Sequence, residues 1–146
     1  MDAIASLKSR SSAQAYETLL RMEQESALSD VHYALFDDFL SLLNSPSAFV
    51  RVRGFRLACA QAPWDAEGRI AAHLDALLAL LDDDKPTAVR QCLSALSSVV
   101  LYRPELIPRI RDRLRAMDLS RCRDSMRPLI EKDIAETEKR LTASGL

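Results

Sequence analysis

The chain has 146 residues, the usual size of one domain, and it is long enough to bury a core without disulfide or metal staples. Its 20 Lys and Arg residues balance its 21 Asp and Glu residues, so the net charge does not point to a polyanionic partner. Three Gly and six Pro residues are few for a sheet protein with many tight turns, and helix-forming residues fill the long segments. We therefore expect an all-α fold.

The first 30 residues predict an N-terminal cap of two helices, over residues 2–8 and 12–28. The apolar side of the second helix is formed by Ala13, Tyr16, Leu19, Leu20 and Ala27. This segment does not match the pattern of the rest of the chain, and we assign it to capping the first unit that follows.

Three predicted helix pairs follow, each with a short turn between its two helices. They cover residues 31–44 and 48–62, residues 66–82 and 87–101, and residues 104–117 and 121–142. Pro46 and Pro86 mark the turns of the first two pairs, where Thr87 can cap a helix. We treat residues 1–146 as one domain: a cap at 1–30, repeats at 31–65 and 66–102, and a third repeat with a C-terminal cap at 103–146.

Apolar residues recur at the same phase every 37 residues, which indicates an internal repeat. The matching columns are Leu40, Leu77 and Leu114; Leu43, Leu80 and Met117; Val52, Val89 and Met126; Phe55, Cys92 and Leu129; and Tyr33, Ile70 and Ile107. In a further column His73 stands between Phe36 and Ile110, which predicts a half-buried histidine. A single helix pair cannot bury its apolar stripe, so we expect the pairs to stack around a shared core.

Pro108 and Pro128 complicate the third unit. Pro108 predicts a kink just after the start of its helix, because proline removes a backbone hydrogen bond. Pro128 leaves two alternatives: the last helix begins near residue 121, or it begins with Ser125 as its N-cap and residues 121–124 form a turn.

The predicted pattern is a leucine-rich first helix, a proline turn and then a Val-Arg pair that opens the second helix. Over residues 31–142 this pattern resembles the HEAT-repeat family. Three segments are similar to a group of small bacterial HEAT-repeat proteins: FVRVRGFRLACAQAPWD (49–65), DDKPTAVRQCLSAL (83–96) and RDSMRPLIEKDI (123–134). The resemblance implies a short right-handed α-α superhelix, a HEAT/armadillo-like solenoid of three helix pairs with N-terminal capping helices. The group often carries the label "SufBD-like", which would imply iron–sulfur assembly. This chain has no clustered Cys ligands, and we do not carry that label over.

Arg53, Arg90 and Arg127 form a column with two interpretations. In the structural one, each guanidinium bonds to a preceding loop, such as the acidic residues 82–84, and ties one unit to the next. In the functional one, the column is a row of binding groups for phosphate or carboxylate, on a concave face that also carries Arg56 and Gln91. A helical wheel places Arg53 and Arg56 on the side of their helix away from the core.

Gly54 and Trp64 also have two interpretations each. Gly54 either lets a neighbouring helix pack closely or leaves room for a ligand backbone. Trp64 either covers the end of the core, with Asp65 capping the next helix, or is an exposed anchor for a partner.

Cysteine and histidine predict no metal site and no cofactor. Cys59, Cys92 and Cys122 form no CxxC pair or disulfide framework, and the two histidines lie far from each other in sequence. No GxSxG, HExxH or P-loop motif occurs, the N-terminus does not resemble a signal peptide, and no apolar stretch approaches the ~20 residues of a membrane span. We expect a cytoplasmic protein that is not an enzyme and does not contact membranes.

These features favour a protein-interaction or scaffold module that binds another protein or a peptide on the concave face of the solenoid. The candidate binding residues are Arg53, Arg56, Arg90, Gln91, Arg127 and Trp64. The alternative is a nucleic-acid-binding HEAT-like protein related in architecture to DNA alkylation-repair glycosylases. The alternating Arg109, Arg111, Arg113 and Arg115 are the observation behind that alternative.

Overall fold

The computed structural model describes residues 2–143, and within that range all regular secondary structure is helical, as the composition predicts. The α-helices are α1 Ala3–Leu7, α2 Ser12–Leu28, α3 Phe36–Leu42, α4 Ala48–Ala60, α5 Arg69–Ala72, α6 Leu74–Leu78, α7 Pro86–Tyr102, α8 Ile107–Arg115 and α9 Arg127–Ala143. Short 3-10 helices occupy Tyr33–Leu35, Ala62–Trp64, Ala79–Asp82 and Pro104–Leu106. None of the described helices is long and apolar enough to cross a membrane.

Side-chain oxygens fix the starts of three helices. Asp2, Ser11 and Ser47 each accept a hydrogen bond from the backbone N–H three residues later, at the N-termini of α1, α2 and α4. These bonds satisfy donors that the first turn of a helix leaves unpaired. Helix α7 begins at Pro86 and no described side chain caps it, so the prediction that Thr87 acts as a cap is wrong.

Helix α4 lies at the centre of the packing. It contacts α2, α3 and α7, while α7 also contacts α9 and the 3-10 helix that follows α6. Helix α1 packs against α2, and α8 packs against α9. The four longest helices, α2, α4, α7 and α9, therefore follow one another across the molecule, each in contact with the next.

Gly54 marks the close approach of α3 and α4. A Cβ atom at this position would lie 2.6 Å from the carbonyl oxygen of Phe39 and 2.7 Å from the Cβ of Leu42, both in α3. The two helices can pack at this distance only because residue 54 has no side chain. Close helix packing is thus the correct one of the two interpretations of Gly54.

One hydrophobic core runs through the described residues, and most repeat columns contribute to it. Leu77 and Leu114 are buried, and Leu40 is half-buried against the same core. The column of Phe55 and Cys92 is buried in the first two units only. Shared burial of equivalent positions is what the repeat predicts for neighbouring helix pairs.

The third unit departs from the repeat at its second helix. Leu129 is exposed, although the repeat pattern aligns it with buried positions, so the prediction that Leu129 is equivalent to them is wrong. Helix α9 instead buries Ile130, Thr137 and Leu141. In the first turn of α9 it is Ile130, the residue after Leu129, that enters the core, so the buried side of this helix is displaced by one residue from the repeat pattern.

The first helices of the units are shorter than predicted. The segment 66–82 is divided into α5, α6 and a 3-10 helix, and the break falls at His73, whose φ and ψ are −116° and 18°. His73 is exposed, so the prediction of a half-buried histidine is wrong. In the outer units a 3-10 helix replaces the predicted first turn, before Phe36 and before Ile107.

Pro108 and Pro128 each occupy the second position of an α-helix. Pro108 follows Ile107 at the start of α8, and Pro128 follows Arg127 at the start of α9. The N–H groups of a first turn have no acceptor within the helix, so proline is tolerated there. Because α8 begins at Ile107 rather than at residue 104, Pro108 does not interrupt it. Helix α9 begins at Arg127, two residues after Ser125, and residues 121–124 lie outside any helix. This start is closer to the later of the two predicted starts.

The buried side of α2 differs from the prediction. Of the five apolar residues assigned to it, only Leu19 is buried; the buried set is Ala15, Thr18, Leu19, Met22 and Ser26. Two hydroxyl residues belong to this set because they have partners inside the fold. Thr18 Oγ1 lies 2.7 Å from Ser6 Oγ, and Ser26 Oγ accepts a hydrogen bond of 3.0 Å from Gln61 Nε2.

Candidate functional site

An open groove of about 500 Å³ lies between α2 and the N-terminal halves of α4 and α7. Its apolar lining consists of Tyr16, Leu19, Ala48, Phe49, Val52 and Ala88. Its polar lining consists of Ser12, Ser47, Arg53, Arg56, Lys85, Thr87 and Gln91. We call this hollow the α2/α4/α7 groove.

Two aromatic side chains of the groove face solvent. Phe49 is 68% exposed and Tyr16 is 52% exposed, although both are large enough to stabilise a core. Phe49 shares one side of α4 with Val52, Arg53 and Arg56, because residues three, four and seven positions apart lie on one helix face. Apolar surface that is grouped in this way on a protein is typical of an interaction site.

Arg53 lies at the base of this groove and is only 6% exposed. The prediction that it faces away from the core is wrong, because α2, α3 and α7 surround α4 on most sides. Its Nη1 donates a 2.9 Å hydrogen bond to the carbonyl oxygen of Leu7 at the end of α1. Burial lowers the pKa of Arg53, but a guanidinium stays charged in proteins.

Arg56 and Gln91 form part of the wall of the groove. Arg56 makes a two-bond ion pair with Glu23, with its Nη2 at 2.7 Å and its Nε at 3.0 Å from the two carboxylate oxygens. Its Nη1 donates to Gln91 Oε1 at 3.1 Å. These bonds connect α2, α4 and α7 and hold the walls of the groove in a fixed relation.

A second hollow, of about 450 Å³, continues the surface between α7 and α9. Thr87 and Gln91 belong to both hollows, so the two adjoin. In the second hollow the Arg90 Nε lies 2.7 Å from Asp133 Oδ2, and this bond raises the pKa of Arg90. Four of the six predicted site residues, Arg53, Arg56, Arg90 and Gln91, therefore border one continuous surface.

Arg127 and Trp64 lie outside both hollows. The Nη2 of Arg127 donates to two carbonyl oxygens of the preceding turn, each at 3.4 Å. Trp64 is half-buried, and its Nε1 donates a 2.6 Å hydrogen bond to the carbonyl oxygen of Ser26. Asp65 accepts hydrogen bonds from the backbone N–H groups of the next helix at 2.8 and 2.9 Å, as a cap does. This geometry is the one expected if Trp64 covers the end of the core.

The arginine column bonds within the fold, and Arg127 does so to carbonyl oxygens of its preceding turn, as the structural interpretation predicts. Arg53 and Arg90 instead bond to Leu7 and Asp133, which lie outside the loops that precede their helices. Asp83 pairs with Arg51, at 2.9 Å and 3.2 Å, rather than with Arg53 or Arg90. Burial alone would raise the pKa of Asp83, yet the hydrogen bonds from Arg51 and from the Lys85 backbone N–H lower it. Other Asp–Arg pairs join successive units, namely Asp37 with Arg69, Asp75 with Arg109 and Asp82 with Arg113.

The sequence prediction did not identify Phe49, Tyr16 or Lys85 as groove residues. One feature of the sequence could have identified Phe49 as a groove residue. It lies on the same side of its helix as Arg53 and Arg56, and it belongs to none of the repeat columns. Tyr16 was assigned to the core because an aromatic residue on an apolar stripe is normally buried.

Cys59 and Cys92 belong to the core, where burial raises the pKa of both thiols. In the described part of the chain, no three His, Cys, Asp or Glu side chains are grouped so that they could hold a metal ion.

Comparison with known proteins returns no relative. No protein-family model matches the chain, and neither the curated protein sequences nor the solved structures contain a significant match. The site must therefore be interpreted from its own geometry.

Proposed function

We propose that this protein is a non-enzymatic interaction module whose α2/α4/α7 groove binds a short segment of another protein. The observation that carries this proposal is the group of apolar side chains that line the groove. The most important are Phe49 and Tyr16, which are both exposed to solvent. Burying one such side chain contributes about 1.5–3 kcal/mol, so two aromatic anchors can support specific binding.

We also propose that the helix pairs form a short right-handed α-α superhelix of the HEAT/armadillo type. Support comes from the successive contacts of α2, α4, α7 and α9, and from the Asp–Arg pairs between units. In such an assembly the second helices form an extended concave face, which suits an extended partner. The groove and the adjoining hollow would then be two parts of that face.

The test uses a phage-displayed library of random short peptides, selected on the wild-type protein. Peptides should be enriched, and F49S should weaken their binding by about 10-fold or more, because the partner loses the burial of one aromatic side chain. The matched control is L101S: Leu101 is also 68% exposed, on a helix, but outside the groove. Unchanged binding to F49S, equal loss in both variants, or no enrichment would contradict the proposal.

The nucleic-acid alternative has less support. Each of the four alternating arginines of α8 lies within 4.0 Å of a carboxylate: Arg109 near Asp75, Arg113 near Asp82, and Arg111 and Arg115 near Glu138. Arginines paired in this way attract phosphate less than unpaired ones, because the carboxylates offset their charge. Fluorescence anisotropy with labelled duplex DNA and single-stranded RNA in low-salt buffer tests this alternative, and binding that weakens steeply with added salt would favour it.

A further inference from the structure

The charge of Arg53 has no carboxylate partner in the described structure. Arg53 is the one buried arginine of residues 2–143, yet no ion pair within 4.0 Å among those residues includes it. Its assigned hydrogen bond is to a neutral carbonyl oxygen, that of Leu7. A buried charge without an opposite charge is costly, and natural proteins normally pair it.

Burial is what distinguishes Arg53 from the other arginines of the described chain. Six more exposed arginines have carboxylate partners, namely Arg51, Arg56, Arg69, Arg90, Arg109 and Arg113. Their carboxylates come from a neighbouring unit or helix of the same chain. Arg53 has no such carboxylate and lines the groove instead. Arg103 and Arg127 also donate to carbonyl oxygens, but both are only half-buried.

The remaining lining of the groove has the same sign of charge. Arg56 and Lys85 add two further cations to Arg53, and no Asp or Glu lines the groove. The carboxylate of Glu23 offsets Arg56, but no described carboxylate lies within 4.0 Å of the Lys85 amine. The groove therefore combines an apolar wall with an uncompensated positive charge at its base and another at its rim.

From this juxtaposition we propose that the α2/α4/α7 groove recognises an acidic, apolar peptide, and that Arg53 binds a carboxylate of that peptide. This inference rests on the proposed function and adds the chemistry of the partner. A bulky apolar side chain of the peptide packs against Phe49 and Tyr16, while an Asp or Glu close to it in sequence reaches Arg53. Lys85 at the rim attracts a second acidic group.

A peptide fits the surface better than a free fatty acid, although both combine a carboxylate with apolar groups. The groove rim offers Ser47, Thr87 and Gln91, whose hydroxyl and amide groups can bond to peptide N–H and C=O groups. Through Thr87 and Gln91 the surface continues into the polar hollow beside Arg90, where a longer chain can extend. An acyl chain would use none of these groups.

The experiment compares peptides selected on wild-type protein with those selected on R53Q and K85Q. Asp and Glu should be enriched near an apolar residue in wild-type selections, and this enrichment should fall on K85Q and disappear on R53Q. The strongest wild-type peptide is then resynthesised with its acidic residue changed to the corresponding amide. The amide form should bind wild-type protein about 10-fold to 100-fold more weakly, since a hydrogen bond between charged groups is lost, but should bind R53Q as the acidic form does.

The outcomes separate this inference from the proposed function. If no peptide is enriched, or F49S binds the selected peptides normally, the proposed function fails and the inference fails with it. If selected peptides depend on Phe49 but show no acidic enrichment, or the amide form binds wild-type protein equally well, only the acidic inference is overturned. The amide comparison uses unaltered protein, so it stands even if R53Q unfolds through loss of the bond to Leu7.

Two other occupants would also overturn the inference. Oleate tests the fatty acid: saturable binding of oleate that R53Q abolishes, without enrichment of any peptide, would assign the site to a lipid. Sedimentation velocity tests a second copy of this chain. A concentration-dependent dimer that F49S abolishes and L101S preserves, again without enriched peptides, would assign the groove to self-association.

Discussion

Replacing Gly54 with Ala tests the close packing of α3 against α4. In a solvent-exposed helix this change stabilises the protein by about 1 kcal/mol, because Ala has the higher helix propensity. Here the new Cβ would lie 2.6 Å from the Phe39 carbonyl oxygen and 2.7 Å from Leu42 Cβ, whereas ordinary contacts begin at 3.4 Å. Neither atom can rotate away, since one belongs to the backbone and the other is fixed to it.

Relief of this overlap requires α3 to withdraw by several tenths of an ångström. Overpacking of this kind costs about 1–3 kcal/mol, and we expect the upper part of that range because both obstacles are rigid. After the gain in helix propensity, G54A should lower the free energy of unfolding by about 1–2 kcal/mol. The assay is urea unfolding followed by far-ultraviolet circular dichroism.

A pair of variants at Ser97 provides the control. Ser97 is exposed in the middle of α7, and S97A should be more stable than S97G by about 1 kcal/mol, which measures the helix propensity alone. If G54A is as stable as the wild type or more stable, the helices do not approach as closely as described. The reasoning about this helix pair would then be refuted.

Two further predictions concern the ion pair between units and the thiols. D83N should lower the free energy of unfolding at neutral pH by about 1–3 kcal/mol, because it leaves Arg51 without its buried counter-ion. The pKa of Asp83 is lowered in the fold, so its contribution is present above the unfolded pKa of about 4 and is lost as the pH falls further. D83N should therefore weaken the acid dependence of stability in urea titrations, and an unchanged dependence would contradict the assignment. A thiol reagent should label Cys122 in the native protein but reach Cys59 and Cys92 only after denaturation, and rapid labelling of all three would show that the core is not packed as described.

The long helices could be predicted well from the sequence because their signals are local. The predicted 12–28 coincides with α2, and the predicted 87–101 differs from α7 by one residue at each end. Apolar spacing over several turns, bounded by a Ser cap or a proline, determines such helices almost independently of context. For Gly54 the sequence left two interpretations, because glycine in mid-helix is unfavourable unless something close needs the space. The distances to α3 decide in favour of helix packing.

The short first helices could not be predicted because periodicity averages over several turns. The break at His73 is a departure of one residue's dihedral angles within a leucine-rich segment, and the apolar spacing continues across it. Propensity does not distinguish a helical turn from a 3-10 turn in such a segment. Exact helix limits of this kind depend on the neighbouring elements.

The groove was only partly predictable because it depends on tertiary contacts. Arg53, Arg56 and Gln91 were identified by their position on second helices, but the burial of Arg53 follows from three helices surrounding α4. No helical wheel contains that information. Phe49 and Tyr16 have the residue types of a core, so only the arrangement of α2, α4 and α7 reveals that they are exposed.

The most direct measurement is a titration of the labelled protein with the strongest selected peptide, followed by amide nitrogen–proton correlation spectra. We expect chemical-shift changes grouped around the groove, at residues such as Tyr16, Phe49, Arg53 and Ala88, with a smaller change when the acidic residue of the peptide is replaced by its amide. Residues distant from the groove, such as Leu101, should not change. Shifts grouped on another face of the molecule, or equal shifts with the amide peptide, would contradict a groove that binds acidic, apolar segments.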